Sequence, residues 1–287
     1  MRNRMWGAVL LGFALCVATL LRAQDFDLVI ANGRVLDPES GLDGVRNIGI
    51  SGRKIAAISS DRLTGRATID AAGLVVSPGF IDLHAHGQTP ETYAFQARDG
   101  VTTALELEVG TANVGEWYGE RKAGRLINYG VSIGHIPVRM AVLRDPGKFL
   151  PTGDGAHRAA SPAEIQSIAQ RIADGLKNGA VSIGAGFPYT PAASEEELLA
   201  VFRVASSTHT PIHVHMRRGV AGLNEALTLA ATTKAPLHVV HINSSGVEAT
   251  REMLQMITEA RNRGMDVTTE AYPYAAGMTE IQSANLD

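Results

Sequence analysis

Short apolar segments alternate with amphipathic helical segments from residue 79 onward, and this alternation restricts the fold more than any other feature of the chain. Strands that alternate with helices favour βα units around a parallel sheet. The predicted strands cover residues 79–84, 101–108, 131–136, 180–184, 211–215, 237–241 and 266–270. This series predicts an α/β fold of the (β/α)8 TIM-barrel type, which usually takes about 250 residues. Because only seven strands are predicted, we expect a barrel truncated before its eighth strand.

The segments between these strands carry clear helix signals. A capping box that begins at Ser161, with proline in the first helical position, predicts one helix. Ser194, followed by three glutamates that complement the helix dipole, predicts the start of the next. A third helix is predicted from Gly246 to Arg263.

Residues 24–78 have a different pattern, of short strands separated by turns. The dipeptides Asn32-Gly33 and Ser51-Gly52 are typical of hairpin turns. About 50 residues are too few for a large independent core. The chain is therefore predicted to have a small β domain at 24–78, followed by the barrel at 79–287.

The first 23 residues have the composition of a secretory signal peptide. Arg2 and Arg4 precede an apolar run at residues 5–21. That run is also about the minimum length of a membrane span, so an N-terminal anchor is the alternative. Loss of residues 1–23 predicts a secreted or periplasmic protein without stable membrane association. It also removes Cys16, the only cysteine, so a metal site would have to use histidine and carboxylate.

The charge of the chain gives no indication of a nucleic-acid partner. The 26 basic and 29 acidic residues give a formal net charge of −3, and basic residues form no block. A small-molecule ligand fits this balance better.

Two histidines end the first predicted strand, where residues 78–86 read Pro-Gly-Phe-Ile-Asp-Leu-His-Ala-His. Alternate residues of a strand point the same way, so Asp82, His84 and His86 are expected on one face. Two imidazoles on one face can hold a divalent metal ion. A pair of satisfied interior histidines would give the same pattern.

Two glutamates, Glu106 and Glu108, share one face of the second predicted strand. An unpaired carboxylate inside a barrel is costly, and a metal ion would relieve that cost. The alternative is that each glutamate pairs with an arginine or caps a loop amide. Glu108 lies nearer the strand end and is the preferred ligand, although Glu106 stays open as the carboxylate source.

Histidines also end the fifth and sixth predicted strands, at His215 and His241. Active sites of such barrels lie at the C-terminal ends of the strands. Histidines at the ends of strands one, five and six therefore predict a metal centre at the barrel mouth. His238 has the opposite parity and is expected to be structural, as are the remaining histidines outside these strand ends.

Two loops beyond strand ends contain tyrosines that could orient a substrate through their hydroxyl groups. Tyr189 lies in the loop after the fourth strand, and Tyr274 in the loop after the seventh. Packing within the loop is the alternative for each.

These motifs together resemble the amidohydrolase superfamily over residues 26–280. Within it the chain is similar to the N-acyl-D-amino-acid deacylases, or D-aminoacylases. The stretches that carry this likeness are Gly100-Val101-Thr102-Thr103, Gly186-Phe187-Pro188-Tyr189-Thr190-Pro191, His215-Met216-Arg217 and Tyr272-Pro273-Tyr274-Ala275-Ala276-Gly277. The sequence of residues 102–108 looks most like that of the D-glutamate deacylase branch.

The resemblance implies four metal ligands, namely His84, His86, His215 and His241. Relatives often have a cysteine near the end of strand two, where this chain has Glu108 as a substitute. Many relatives also have a lysine after the strand-six histidine, where this chain has Asn243.

The missing lysine makes Arg217 a candidate for the contact with the substrate carboxylate. The catalytic aspartate of the family ends strand eight, so we expect it beyond Asp287.

The implied activity is metal-assisted hydrolysis of an N-acyl-D-amino acid, with one or two Zn²⁺ ions as cofactor. N-acyl-D-glutamate is the substrate that the branch suggests. Alternatives are a dihydroorotase-like or isoaspartyl-dipeptidase-like hydrolase, or a metal-binding remnant without activity.

Overall fold

The structure is a computed structural model that describes residues 26–281 and 283–284. The predicted signal peptide lies outside these residues. The chain divides into two units, one ending at Pro78 and the other beginning at Gly79.

The first unit is one five-stranded sheet. Its strands are β1 (Phe26–Asp37), β2 (Leu42–Ser51), β3 (Lys54–Ser59), β4 (Gly65–Asp70) and β5 (Val75–Val76). The order is β3-β2-β1-β4, and β5 also pairs with β1. β1 is antiparallel to β2 but parallel to β4 and β5. The buried apolar side chains are few, which agrees with the small size of this unit: Phe26, Val29, Val35, Ile48 and Ala71.

Two details of this sheet differ from the sequence analysis. Ser51-Gly52 does form the turn between β2 and β3, but the predicted turn at Asn32-Gly33 was wrong. These two residues lie inside β1, where the pairing with β2 shifts register and Asn32 has a φ of 63°. A residue with positive φ suits a β-bulge as well as a hairpin turn. β4 was not predicted, because its side chains are almost all exposed and show no apolar alternation.

Within the described residues, the second unit contains a seven-stranded parallel sheet in the order β12-β11-β10-β9-β8-β7-β6. Its strands are β6 (Phe80–Asp82), β7 (Val101–Thr111), β8 (Asn128–Gly134), β9 (Ile183–Gly186), β10 (Ile212–His215), β11 (Leu237–Val239) and β12 (Val267–Thr269). The sheet curls, as a contact between its two edges shows. β6 and β12 form opposite edges, yet His84 after β6 lies 2.7 Å from Glu270 after β12. The predicted α/β barrel architecture of seven strands with a separate N-terminal sheet is therefore confirmed.

Helices connect these strands. They are α1 (Pro90–Arg98), α2 (Val114–Gly119), α3 (His135–Leu143), α4 (Asp154–His157), α5 (Pro162–Lys177), α6 (Glu195–Thr208), α7 (Gly219–Thr233), α8 (Ile242–Gly246) and α9 (Thr250–Asn262). The capping box at Ser161 is present at the start of α5, and Ser194 caps α6. The third predicted helix begins at Thr250 rather than Gly246, since a 3-10 turn precedes it.

The main core lies between the sheet and its helices. Outward side chains such as Ile183, Ile212 and Val239 pack against α5, α6, α7 and α9. The side chains that alternate with these along each strand therefore point into the barrel, where His213 and His238 are buried. No helix among the described residues is both long and apolar enough to cross a membrane.

Candidate metal centre

Polar side chains gather where the C-terminal ends of four strands meet. His84 and His86 follow β6, Glu108 lies in β7, His215 ends β10, and His241 follows β11. Parallel strands bring their carboxyl ends to one side of a barrel, so these residues come from distant parts of the chain to one place.

The carboxylate of Glu108 lies between two pairs of histidines. Its Oε2 is 2.7 Å from Nε2 of His84 and 3.0 Å from Nε2 of His86. Its Oε1 is 2.5 Å from Nδ1 of His215 and 3.9 Å from Nε2 of His241. We call His84 and His86 the first pair and His215 and His241 the second pair. The carboxylate of Glu108 thus contacts both pairs.

The first pair brings its Nε2 atoms together and uses its Nδ1 atoms for other carboxylates. The two Nε2 atoms are 3.0 Å apart. Nδ1 of His84 lies 2.7 Å from Glu270, and Nδ1 of His86 lies 2.7 Å from Glu106. Each imidazole is therefore held on both of its nitrogens.

The second pair is closer to the core. Nε2 of His241 lies 3.1 Å from Nδ1 of His215. The Nδ1 of His241 faces the hydroxyl groups of Ser244 and Ser245, at 3.1 and 3.3 Å. The ring of Tyr189 stands 4.8 Å from that of His215, edge to face.

A β-bulge in β7 explains why the two glutamates differ. The pairing of β7 with β8 shifts register between Glu106 and Thr111. Gly110 makes this possible, because its φ is 69° and a side chain there would lie 2.3 Å from Ser132 Oγ. The carboxylate of Glu106 accepts hydrogen bonds from the amides of the bulge and contacts His86, while that of Glu108 contacts both pairs.

A glycine in β9 also allows the close approach of strands at this point. A Cβ on Gly184 would lie 2.1 Å from the carbonyl oxygen of Glu108. Any larger residue would push β9 away from Glu108 and displace the central carboxylate.

The donor set fits a divalent cation. Neutral imidazole and carboxylate are ordinary zinc ligands, and two ligand atoms on one tetrahedral zinc ion are about 3.4 Å apart. The distances of 2.5 to 3.9 Å around Glu108 bracket that value. One donor atom from each of His84, Glu108 and His241 lies within 4.8 Å of the others. These residues could therefore hold a metal ion without large movements.

The charges of the site also suit a cation. Burial alone would raise the pKa of Glu108, but hydrogen bonds from four imidazoles hold it well below its usual value. Burial opposes charge on His84, yet Glu108 and Glu270 raise its pKa to about 9. The glutamates around His86 likewise outweigh burial and raise its pKa to about 10. Burial lowers the pKa of His215. The carboxylates thus attract positive charge to the first pair.

The remaining predicted residues lie in different surroundings. Tyr189 is buried beside His215, and burial and then Glu108 raise its pKa, so its hydroxyl stays protonated. Arg217 forms an ion pair with Glu225 of α7. Tyr274 is 72% exposed and stacks on Tyr272. Tyr189 therefore lies beside the histidines, whereas the contacts of Arg217 and Tyr274 described above are with other residues.

Asp82 does not join the histidines either, although alternation along a strand predicts a shared face. β6 ends at Asp82, and its carboxylate accepts hydrogen bonds from the amide of His84 and the side chain of Gln96. The histidines lie on the loop beyond, where strand parity no longer applies.

Glu270 is a residue of the site that was not predicted. It directly follows β12, and its carboxylate contacts His84 and lies 3.5 Å from Nε2 of His238. A signal for it was present, because a carboxylate at the end of a barrel strand is the pattern that selected Glu106 and Glu108.

The loop between α3 and α4 reaches the same site. The carboxylate of Asp145 accepts hydrogen bonds from three backbone amides of this loop and from the amide of Gly155 in α4. Phe149 at its tip lies edge to face against His86, with 5.6 Å between ring centroids. The neighbouring Leu150 is buried in a cluster that includes Tyr189.

Residues 75–271 match the amidohydrolase family. This match covers well over half of the chain, and the chain therefore belongs to that family. The resemblance drawn from its motifs is confirmed at this level.

Three characterised relatives show where in the family the chain falls. It is 29% identical to a D-aminoacylase and 27% to an N-acyl-D-glutamate deacylase, both of Alcaligenes xylosoxydans xylosoxydans, over 91% and 92% of this chain. It is 26% identical to a dihydroorotase of Streptococcus pneumoniae over 88% of this chain. The chain spans only 60% of the first two relatives and 62% of the third.

Solved structures give the same picture. An N-acyl-D-glutamate deacylase of Bordetella bronchiseptica, solved with zinc and a phosphonate inhibitor, is 24% identical with a TM-score of 0.75, covering 88% of this chain and 59% of that one. At this identity the likeness shows the fold. D-aminoacylase is 27% identical with a TM-score of 0.73 at the same coverage. A further D-aminoacylase structure concerns a binuclear metal centre with one-metal activation and second-metal attenuation.

Proposed function

We propose that this protein is a zinc-dependent hydrolase that cleaves the amide bond of N-acyl-D-amino acids, with N-acyl-D-glutamate as a substrate to test first. The observation that carries the proposal is the position of Glu108 between two histidine pairs at the mouth of the barrel. The likeness to D-aminoacylase and N-acyl-D-glutamate deacylase supports the choice of substrate class.

In the proposed centre, Glu108 and the two histidine pairs would hold the metal. Zinc bound there would polarise the amide carbonyl and bring the pKa of a bound water near 7. The reaction adds water across the C–N bond and yields a carboxylate and a free amine.

The surrounding residues would position the substrate. The hydroxyl of Tyr189 stays protonated, so it can donate a hydrogen bond to an oxygen of the substrate. Burial of the second pair and of Tyr189 keeps bulk water from that side. The exposed side of the first pair leaves an approach for a small molecule.

A second candidate is hydrolysis of a cyclic amide, which the dihydroorotase relative favours. The same centre would serve, since both reactions cleave an amide by addition of water. The two candidate functions therefore differ in substrate and share the metal centre.

The test uses the full-length protein loaded with zinc. We expect release of free amine from N-acetyl-D-glutamate or another N-acetyl-D-amino acid, at rates well above those for the L-enantiomers and for dihydroorotate. Faster cleavage of dihydroorotate would support the second candidate. Absence of hydrolysis with all of these substrates would contradict both.

A variant connects this activity to the site. His215→Asn should abolish both activity and zinc binding, because His215 makes the shortest contact to Glu108. His157→Asn is the matched control, since His157 is exposed on α4. Zinc content is measured by mass spectrometry of the purified proteins. Full activity of His215→Asn with normal zinc content would overturn the assignment.

We also propose that the protein is exported, on the basis of the predicted signal peptide. Fractionation of the native source, with the intact mass of the mature protein, tests this.

A further inference from the structure

We propose that Glu106 and Glu270 are positioning residues that fix the tautomers of His86 and His84, so that the Nε2 atoms of both point at the metal. This inference rests on the proposed metal centre. It assigns separate tasks to three glutamates that the sequence pattern alone does not distinguish.

Glu270 is the partner of His84. Its Oε1 lies 2.7 Å from Nδ1 of His84. Its Oε2 lies 3.5 Å from Nε2 of His238. His238 is itself buried, with its Nδ1 2.8 Å from the hydroxyl of Thr268. The carboxylate of Glu270 is thus held between a mouth histidine and an interior histidine, and it cannot turn away from His84 without losing the second contact.

Glu106 is the partner of His86. Its Oε2 lies 2.7 Å from Nδ1 of His86. Its Oε1 accepts hydrogen bonds from the amides of Val109 and Gly110 at 3.3 and 3.4 Å. The bulge in β7 therefore anchors this carboxylate, and its side chain is only 8% exposed. Glu106 is an acceptor of fixed direction, as Glu270 is.

A carboxylate in this position decides which nitrogen carries the proton. A neutral imidazole has one N–H, and an ionised carboxylate only accepts hydrogen bonds. Each Nδ1 lies 2.7 Å from an outer carboxylate, whereas each Nε2 faces Glu108. Once a cation occupies Glu108 and the two Nε2 atoms, only the outer carboxylates still accept from the rings, so the proton stays on Nδ1 and Nε2 keeps its lone pair. The two Nε2 atoms lie 3.0 Å apart, both beside Glu108. The lone pairs thus converge where a metal ion would bind.

The second pair lacks this arrangement at His241. Its Nδ1 faces the hydroxyl groups of Ser244 and Ser245. A hydroxyl can donate or accept, so it does not select one tautomer. The inference therefore applies to the first pair alone, and this restriction makes it testable.

The experiment uses the full-length protein with Glu270→Gln and Glu106→Gln, which keep the side-chain shape and remove the charge. Zinc affinity is measured by competition with a chelator, and nitrogen-15 NMR of labelled histidines in the zinc-bound protein reports which ring nitrogen carries the proton. Glu225→Gln is the control, because Glu225 lies on α7 and pairs with Arg217. Loss of a carboxylate behind a metal ligand typically costs 10- to 100-fold in affinity.

We expect each glutamine variant to lower zinc affinity by about 10- to 100-fold. Glu270→Gln should mix the tautomers of His84 and leave His86 unchanged, and Glu106→Gln should do the reverse. Glu270→Asp and Glu106→Asp keep a carboxylate and should recover part of the affinity. These aspartate variants also decide the matter if a glutamine variant does not fold.

Two outcomes overturn different statements. Wild-type zinc affinity and unchanged tautomers in folded variants would overturn the positioning roles and leave the proposed function intact. Absence of zinc binding in the wild-type protein would overturn the proposed metal centre, and this inference with it.

Discussion

The two histidine pairs contact the same carboxylate but are held by different forces. His84 and His86 lie on a loop, with 23% and 36% of their side chains exposed, and carboxylates hold their outer nitrogens. His215 ends β10 and His241 lies two residues beyond β11, with 14% and 9% exposed. Both pairs contact Glu108, but the first pair has further carboxylates on its outer nitrogens, whereas the second pair is more deeply buried.

The lengths of the strands explain part of this difference. β6 ends at Asp82, so the backbone at the first pair makes an isolated bridge from His84 to Glu106. β10 continues through His215 and pairs with β9 up to that residue, whereas His241 lies beyond β11 and has the hydroxyl groups of Ser244 and Ser245 at its Nδ1. A residue inside a sheet, such as His215, is fixed by its backbone, whereas a residue on a loop needs its side chain held. The carboxylates supply that hold at the first pair.

The largest expected effect comes from Glu108→Gln, which removes the one group that both pairs share. We expect zinc affinity to fall by about 1,000-fold or more, about 4 kcal/mol, beyond the cost of losing an outer carboxylate. Chelator competition measures this, with Glu106→Gln as the comparison. Equal losses in the two variants would contradict the distinction between ligand and positioning residue.

A smaller effect distinguishes packing at the two pairs. Tyr189 is buried beside His215, and Phe149 is 38% exposed beside His86. Tyr189→Ala should lower the free energy of unfolding by about 3 kcal/mol and Phe149→Ala by about 1, since the cost follows burial. Urea unfolding of the metal-free proteins provides the values. Equal costs would show that the two sides are packed alike.

Much of the fold was predictable because strand and helix signals are local. The apolar segments of β6 to β12 and the cap at Ser161 act within a few residues, and the structure has these elements close to where they were predicted. The bounds were less accurate, because β6 ends at Asp82 and β11 at Val239, before the histidines, and β9 begins only at Ile183. The bulge at Asn32-Gly33 was not predictable in the same way. Whether a positive φ makes a turn or a bulge depends on the pairing with β2, which lies further along the chain.

The site shows the same limit. Histidines at strand ends predicted the cluster, since every parallel strand ends on the same side of the barrel. The separate tasks of Glu106 and Glu108 depend on the bulge at Gly110, although a glycine inside a strand is itself a bulge signal. Arg217 was predicted to replace the lysine that relatives have where this chain has Asn243, but it forms an ion pair with Glu225 on the following helix.

The smallest expected effect tests whether the loop held by Asp145 supports both pairs alike. Phe149 of this loop contacts His86, and Leu150 packs in the cluster with Tyr189. Burial would raise the pKa of Asp145, but four backbone amides outweigh it and hold the pKa below its ordinary value. A carboxylate with a lowered pKa contributes stability above its unfolded pKa, near 3.9, and this is lost as pH falls through the folded value.

We therefore expect amide-exchange protection of the loop to fall below about pH 4 in the wild-type protein. In Asp145→Asn it should already be weaker at neutral pH, by about 0.5 to 1 kcal/mol, and should not change over the same acid range. Peptides containing Phe149 and Leu150 should lose protection together, because one carboxylate holds both. Loss at Phe149 alone would mean that the loop supports only the first pair, and the second pair would then be independent of this loop as well as of Glu106 and Glu270.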